Sequence, residues 1–269
     1  MIHAENITSV NNPSIKTAVR LRESAAARRE SSRFLAEGLR LCVDAALSGV
    51  KIYEAYILPS AAEKYAAELE PVFASAERVF SVSDAVASKL SDTKHTQGVF
   101  AVCATPDLPS EASGVDPQGI YVAAERLQDP ANLGALCRTA EALGIDGIIV
   151  GSCCDVFSPK ALRASMGAAF RLPIVDAPDL PALLSSLAAR GMRVLGSVPD
   201  ATAVKITQIA LKRGVVCVIG NEGGGISDET LAVCDTRVTI PMAGRAESLN
   251  ASAAAAILMW ELVRNGVCD

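Results

Sequence analysis

Short, almost wholly apolar runs separated by amphipathic stretches give the second half of the chain a regular beat. Runs at 119–124, 148–150, 172–175, 192–195, 215–219 and 237–240 are bounded by polar or turn residues and predict strands. Between them, 133–143, 159–166, 180–190 and 227–232 carry apolar residues three or four apart and predict helices, and a long terminal helix is predicted at about 250–264. Strands alternating with helices build a mostly parallel sheet covered on both faces. The first hundred residues repeat the theme on a smaller scale. One or two helices are predicted over 14–36 after the Asn11-Asn12-Pro13 turn, then a helix at 41–47 that stops at Gly49, a strand at 52–58, a helix at 61–70, a strand at 78–82, a helix at 83–90 and a strand at 98–104. Hydrophobicity falls where Pro106, Pro109, Ser110, Ser113, Gly114, Asp116 and Pro117 collect, the composition of a linker. The expected organisation is a domain at 1–105 with a helical lead-in at 1–33, a linker at 106–117 and a second domain at 118–269.

Composition narrows the class. With 269 residues, half of them apolar, the chain can bury two ordinary cores. The start Met1-Ile2-His3-Ala4-Glu5-Asn6 lacks the basic and apolar regions of a signal peptide, and no apolar stretch is long enough to span a bilayer, so a cytoplasmic protein without membrane association is expected. The eight cysteines form no Cys-x-x-Cys pair and the two histidines, His3 and His95, stand apart, which predicts reduced thiols and no metal. A net charge of −5 argues against a nucleic-acid partner, but the charge is sorted along the chain. Residues 1–40 hold Lys16, Arg20, Arg22, Arg28, Arg29, Arg33 and Arg40 against four acids, a local charge of +3 that leaves −8 for the remainder. A basic leading segment on an acidic body is compatible with a local RNA contact, and equally with a solvated helix face.

Three segments that begin where apolar runs end carry the candidate chemistry, as strand-to-helix turns of α/β sheets do. In Asn132-Leu133-Gly134-Ala135-Leu136-Cys137-Arg138-Thr139-Ala140, Asn132 is placed to cap a helix, and Gly134 leaves space beside Arg138, four residues on. In Ile219-Gly220-Asn221-Glu222-Gly223-Gly224-Gly225-Ile226-Ser227, consecutive glycines permit close backbone approach, and their N–H groups are free to face a ligand. The P-loop lysine and the Gly-x-Gly-x-x-Gly fingerprint are both missing, which argues against an NTPase and against a dinucleotide oxidoreductase. In Ile240-Pro241-Met242-Ala243-Gly244-Arg245-Ala246-Glu247-Ser248-Leu249-Asn250, a strand ended by proline crosses a polar loop into the last helix, capped by Ser248 or Asn250.

In this order the three segments, with Val156-Phe157-Ser158-Pro159-Lys160-Ala161-Leu162-Arg163-Ala164-Ser165-Met166-Gly167-Ala168 between the first two, resemble the motifs of the SpoU/TrmH branch of the SPOUT RNA methyltransferases. Phe34-Leu35-Ala36-Glu37-Gly38-Leu39-Arg40 and Thr96-Gln97-Gly98-Val99-Phe100-Ala101-Val102 resemble the substrate-binding domain that precedes the catalytic domain in many such enzymes. The resemblance implies an α/β fold. Its C-terminal SPOUT domain would have a parallel sheet and a deep trefoil knot, and would follow a small ribosomal-protein-like α/β domain that binds RNA. It implies S-adenosylmethionine as cofactor, a ribose 2′-hydroxyl of ribosomal or transfer RNA as acceptor, and a homodimer whose partner helps complete the RNA site. By position in the motifs, Arg138, Asn132, Glu222, Ser248 and Asn250 match the catalytic group, and Gly220, Ile240, Met242, Leu249 and Ser197 match the cofactor-binding points. Whether Arg138 takes the hydroxyl proton or only positions and stabilises is open from sequence. A catalytically silent RNA-binding module of the same fold is the alternative function.

Overall fold

The computed structural model describes residues 5–210 and 212–264, which leaves Cys268 and, of the start read for a leader, Met1, Ile2, His3 and Ala4 outside it. The chain forms two compact units, one running to Asp107 and including Phe157–Phe170, the other made of Leu108–Val156 and the chain from Arg171 onward.

In the first unit, β1 (Glu5–Ile7), β2 (Arg33–Glu37), β3 (Ile52–Ile57), β4 (Ala76–Val82) and β5 (Val99–Ala104) form a sheet in the order β1-β4-β3-β5-β2. Strands β1, β4 and β3 run parallel, and β5 runs antiparallel to both β3 and β2. Helices α1 (Pro13–Glu23), α2 (Ala25–Ser31), α3 (Leu39–Leu47), α4 (Pro59–Lys64), α5 (Glu70–Ser75) and α6 (Asp84–Leu90) connect them. Two expectations change here. Helix α2 stops at Ser32, a left-handed C-cap at φ +50, so residues 33–36 are strand. The helix expected over 61–70 is two short helices, because Pro71 cannot continue an earlier helix and restarts one at the N-terminal turn of α5. Two cations of the basic lead-in are spent internally. Arg28 is buried and donates to the carbonyls of Leu21 and Arg22, while Arg22 donates to those of Lys89 and Ser91.

The second unit holds β6 (Ile120–Glu125), β7 (Gly147–Gly151), β8 (Ile174–Asp176), β9 (Arg193–Ser197), β10 (Val204–Lys205), β11 (Val215–Ile219) and β12 (Thr236–Thr239). All are parallel, in the order β10-β12-β9-β11-β6-β7-β8. Strands β6, β7, β9 and β11 are buried along most of their length, as strands covered on both faces must be. Residues alternate between faces. Tyr121, Ala123, Ile149, Val194, Val216 and Val218 pack with Leu183, Leu184 and Leu187 of α9 (Leu180–Ala189). On the other face lies α11 (Ala251–Val263), which contacts β6, β11 and α7 (Pro130–Ala142). Helix α10 (Asp228–Ala232) also belongs to this unit, whereas α8 (Pro159–Ser165) belongs to the first.

The stretch read as linker is not loose. Val115 is buried in the core of the second unit with Ala112 packed against it, and the Asp176 amide donates to the Pro109 carbonyl at 2.9 Å. The segment Phe157–Phe170, which contains α8 and which the sequence reading gave to the second domain, sits with the first unit. Phe157 and Phe170 both stack on Phe34 of β2, with ring centroids 5.2 and 5.7 Å apart, and Arg163 of α8 pairs with Asp92 at 2.7 Å.

Seven described cysteines are free thiols, four of them buried; desolvation pushes Cys137 and Cys217 up to about 12, so they remain neutral. Among the described residues no helix is long and apolar enough to cross a membrane, and no group of three His, Cys, Asp or Glu side chains comes together to hold a metal.

Candidate active site

The strand order of the second unit turns back beside β6. The chain steps outward through β7 and β8, then returns to lay β9, β11 and β12 on the opposite side. Ligands of open α/β sheets bind outside the carboxyl ends of strands at such a switch point. A cavity of about 280 Å³ opens over the carboxyl ends on the β11 side of that point, lined by Ser197 and Pro199 after β9, Gly220 and Glu222 after β11, Ile240 and Met242 after β12, and Ser248 and Leu249 before α11. All five expected cofactor-binding residues, Gly220, Ile240, Met242, Leu249 and Ser197, line it, as do Glu222 and Ser248 of the expected catalytic group. Ile219, Ile240, Leu249 and Leu258 make much of the wall apolar, and the charged side chains on it are the acids Glu222 and Glu247, with no Lys or Arg.

Behind the wall the three motifs are joined by their amides. Asp129, not Asn132, caps α7: it accepts from the Ala131 amide at 3.0 Å, and Pro130 follows at the first helical position. Asn132 therefore lies inside the first turn, 8% exposed, with its side chain released from capping. Its Nδ2 donates to Glu222 Oε1 at 2.9 Å, and its Oδ1 accepts from Asn250 Nδ2 at 3.1 Å. Asn250, as expected of it, caps the last helix, its Oδ1 accepting from the Ser252 and Ala253 amides at 3.0 and 3.3 Å. Ser248 takes no part in the cap.

The glycine run does something other than face a ligand. The Gly223 and Gly224 amides donate to Asn221 Oδ1 at 2.8 and 3.0 Å, and the Gly225 amide donates to the Asn221 carbonyl at 3.0 Å. The three N–H groups are consumed within the turn, so no phosphate cradle is formed. Gly220 shows why glycine is needed at the strand exit: a Cβ there would collide with Gly225 C and O and with Ile226 N. Asn221 Nδ2 in turn donates to the Arg126 carbonyl at 2.7 Å.

Arg138 is exposed, makes no described hydrogen bond or ion pair, and is not among the residues lining the cavity. Sequence reasoning passed over Asn221, which organises the turn, and Glu125, the buried last residue of β6. The Glu125 carboxylate accepts from the Ser227 amide and hydroxyl at 2.8 and 2.6 Å and from the Thr230 hydroxyl at 2.9 Å, fixing the start of α10. The available signal was a carboxylate ending an otherwise apolar strand, Ile120-Tyr121-Val122-Ala123-Ala124-Glu125.

The SpoU rRNA Methylase family matches residues 119–260, and the MRM3-like substrate binding domain matches residues 12–101. The chain is 30% identical over 259 residues to the 23S rRNA (guanosine(2553)-2′-O)-methyltransferase RlmP of Bacillus subtilis, covering 96% of this chain and 99% of that one. A crystal structure of an AdoMet-bound rRNA methyltransferase from Sinorhizobium meliloti superposes with a TM-score of 0.86 at 32% identity, over 98% of both chains. The SpoU methyltransferase AviRb from Streptomyces viridochromogenes, in complex with AdoMet, gives 0.85 at 25% identity, over 96% of this chain and 99% of that one.

Replacing Gly220 by alanine is expected to push the 225–226 backbone out of place and lower stability by roughly 1–3 kcal/mol, the usual cost of overpacking. Equilibrium urea unfolding measures it, and wild-type stability in Gly220→Ala would show that this space is not filled as described.

Proposed function

The chain belongs to the SpoU rRNA methylase family, and we infer that it transfers the methyl group of S-adenosylmethionine to a ribose 2′-hydroxyl of ribosomal or transfer RNA in the cytoplasm. The cavity at the ends of β9, β11 and β12 carries this reading. Its chemistry suits the donor: an apolar wall with strand-end backbone groups for the adenine, and Glu222 and Glu247 for a ligand bearing a sulfonium and an ammonium. When bound, S-adenosylmethionine supplies a methyl group already activated for transfer.

The protein's own part is then placement and electrostatics. Gly220, Ile240, Met242, Leu249 and Ser197 are assigned to hold the donor. Asn132, itself held by Asn250, holds Glu222, and Ser248, which takes no part in the cap of α11, stands on the cavity wall to meet the ribose. Arg138 is assigned to the RNA. Stripping a guanidinium of its proton near pH 7 costs roughly 9 kcal/mol, which a plain base cannot supply. An exposed guanidinium with no partner among the described residues instead suits a bidentate grip on the phosphate next to the acceptor ribose, where it also steadies charge developing on the 2′-oxygen. The first unit, which matches a substrate binding domain, is assigned to reading the RNA.

A homodimer and the trefoil knot belong to the same reading. On α11, Ala253, Ile257 and Trp260 form an exposed stripe, with Ile257 40% and Trp260 52% exposed, which supports a second copy as its cover. The knot rests on the family to which the chain belongs. Sedimentation velocity at micromolar concentration is expected to give a dimer that Trp260→Glu dissociates; an active monomeric wild type would remove the dimer.

Arg138→Ala is expected to reduce transfer at least a hundred-fold while leaving S-adenosylmethionine affinity, measured by titration calorimetry, within a few-fold. Arg138→Lys should also be poor, because a point charge cannot reproduce a planar fork; near-normal turnover by the lysine variant would refute the bidentate grip. The reaction itself is tested through RNA chemistry. Alkaline cleavage requires a free 2′-oxygen, so RNA labelled by the enzyme should leave the label in one alkali-resistant dinucleotide. Label in an ordinary mononucleotide would mean that a base, not a ribose, is the acceptor.

A further inference from the structure

Arg126 directly follows Glu125 at the end of β6, and its backbone sits at φ +54, in the left-handed region that favours glycine and asparagine over a long branched-chain or cationic residue. It is clamped there. Its N–H donates to the Gly151 carbonyl at 2.8 Å, and its carbonyl accepts from Asn221 Nδ2 at 2.7 Å and from Gln128 Nε2 at 3.1 Å. Ser152, which follows the neighbouring β7, has φ +52, so the two adjacent strands both leave the sheet through a left-handed residue. The difference is in the side chains. Arg126 presents an exposed guanidinium that makes no described hydrogen bond or ion pair, on a backbone the fold has immobilised.

Most arginines of this unit are already committed. Arg171 pairs with Glu141 at 2.7 Å, Arg213 with Asp146 at 2.9 Å and Arg264 with Glu261 at 2.8 Å. Arg190 and Arg193 donate to the carbonyls of Ala112 and Ala210. Arg126, by contrast, is one hydrogen bond from Asn221, which lines the cavity beside Glu222. A cavity whose charged walls are the acids Glu222 and Glu247 repels a polyanion, so RNA brought to its mouth needs fixed cations around it.

We propose that Arg126 is a second RNA-backbone contact of the methyl-transfer site, binding a phosphate of the acceptor strand beside the cavity from a backbone anchored to the Asn221 turn. The proposal rests on the RNA methyltransferase reading and adds a residue to it. It also accounts for an arginine at a position where the backbone conformation by itself would favour glycine.

That preference supplies the test. Arg126→Gly removes the guanidinium and suits the local φ, whereas Arg126→Lys keeps the charge and the conformational cost. Full-length chains are titrated with unmodified ribosomal RNA and transfer RNA transcripts by filter binding across a salt series, with S-adenosylmethionine titration and thermal unfolding in parallel. Arg126→Gly is expected to unfold at the wild-type temperature or above and to bind S-adenosylmethionine normally. Its RNA Kd should rise roughly ten-fold, as loss of a charge-assisted phosphate contact implies, and the slope of log K against log salt should fall by about one. Arg126→Lys should retain most of that slope. Wild-type RNA affinity and slope in Arg126→Gly would overturn the contact alone, as would loss of stability and S-adenosylmethionine binding together with RNA binding. A wild-type chain that binds S-adenosylmethionine but no RNA would overturn the functional reading as well.

Discussion

The polarity of one chain of amides governs the site. The start of α11 offers N–H groups, so the Asn250 side-chain oxygen must face them and its nitrogen must point away. That nitrogen meets Asn132, which is obliged to present its oxygen and turn its own nitrogen to Glu222. Side-chain amides can be flipped end for end, but here flipping any member would set donor against donor or acceptor against acceptor. Asn132 is buried, and a buried polar group left unsatisfied costs about 1–3 kcal/mol. A helix terminus thereby fixes the orientation of a carboxylate reached through two intermediaries, and it ties together motifs separated by 90 and 118 residues in sequence.

The parallel sheet was legible because its central strands are buried on both faces and leave apolar runs that little else produces. Where burial is slight the signal fades. Strand β10 is the exposed pair Val204–Lys205, and two of the three residues of β1 are exposed, so neither leaves an apolar run. Strand β2 failed for the opposite reason: Phe34, Leu35 and Ala36 are consecutive buried residues, and a short run of that kind cannot be told from the end of a helix by periodicity. The pairing of strands and the order of the sheet depend on contacts between distant segments, which local pattern does not encode.

At the site, sequence identified the residues better than their work. Asn132 was a sound capping candidate by residue type, yet Asp129 followed by proline starts the helix earlier and frees Asn132 to bond across the fold. The glycines were read as donors toward a ligand, whereas Asn221 collects two of their amides with one side-chain oxygen and a third with its carbonyl. Both differences turn on which of two competing hydrogen-bond partners wins, a matter of position in space. Gly220 is the converse case, since its need for glycine is steric and set by the backbone of Gly225 and Ile226.

Because Phe34 is covered by Phe157 and Phe170, the aromatic packing of the first unit depends on residues encoded well after its last strand. A chain leaving the ribosome at about 5–20 residues per second would need roughly 3–13 s more after Asp107 to deliver residue 170. During that interval β2 carries an aromatic side chain without its cover, at a stage when the leading half of the polypeptide is otherwise complete. The amino-terminal unit is therefore not a module that matures first and waits for its neighbour. Its final consolidation is coupled to synthesis of the sequence that also begins the following unit.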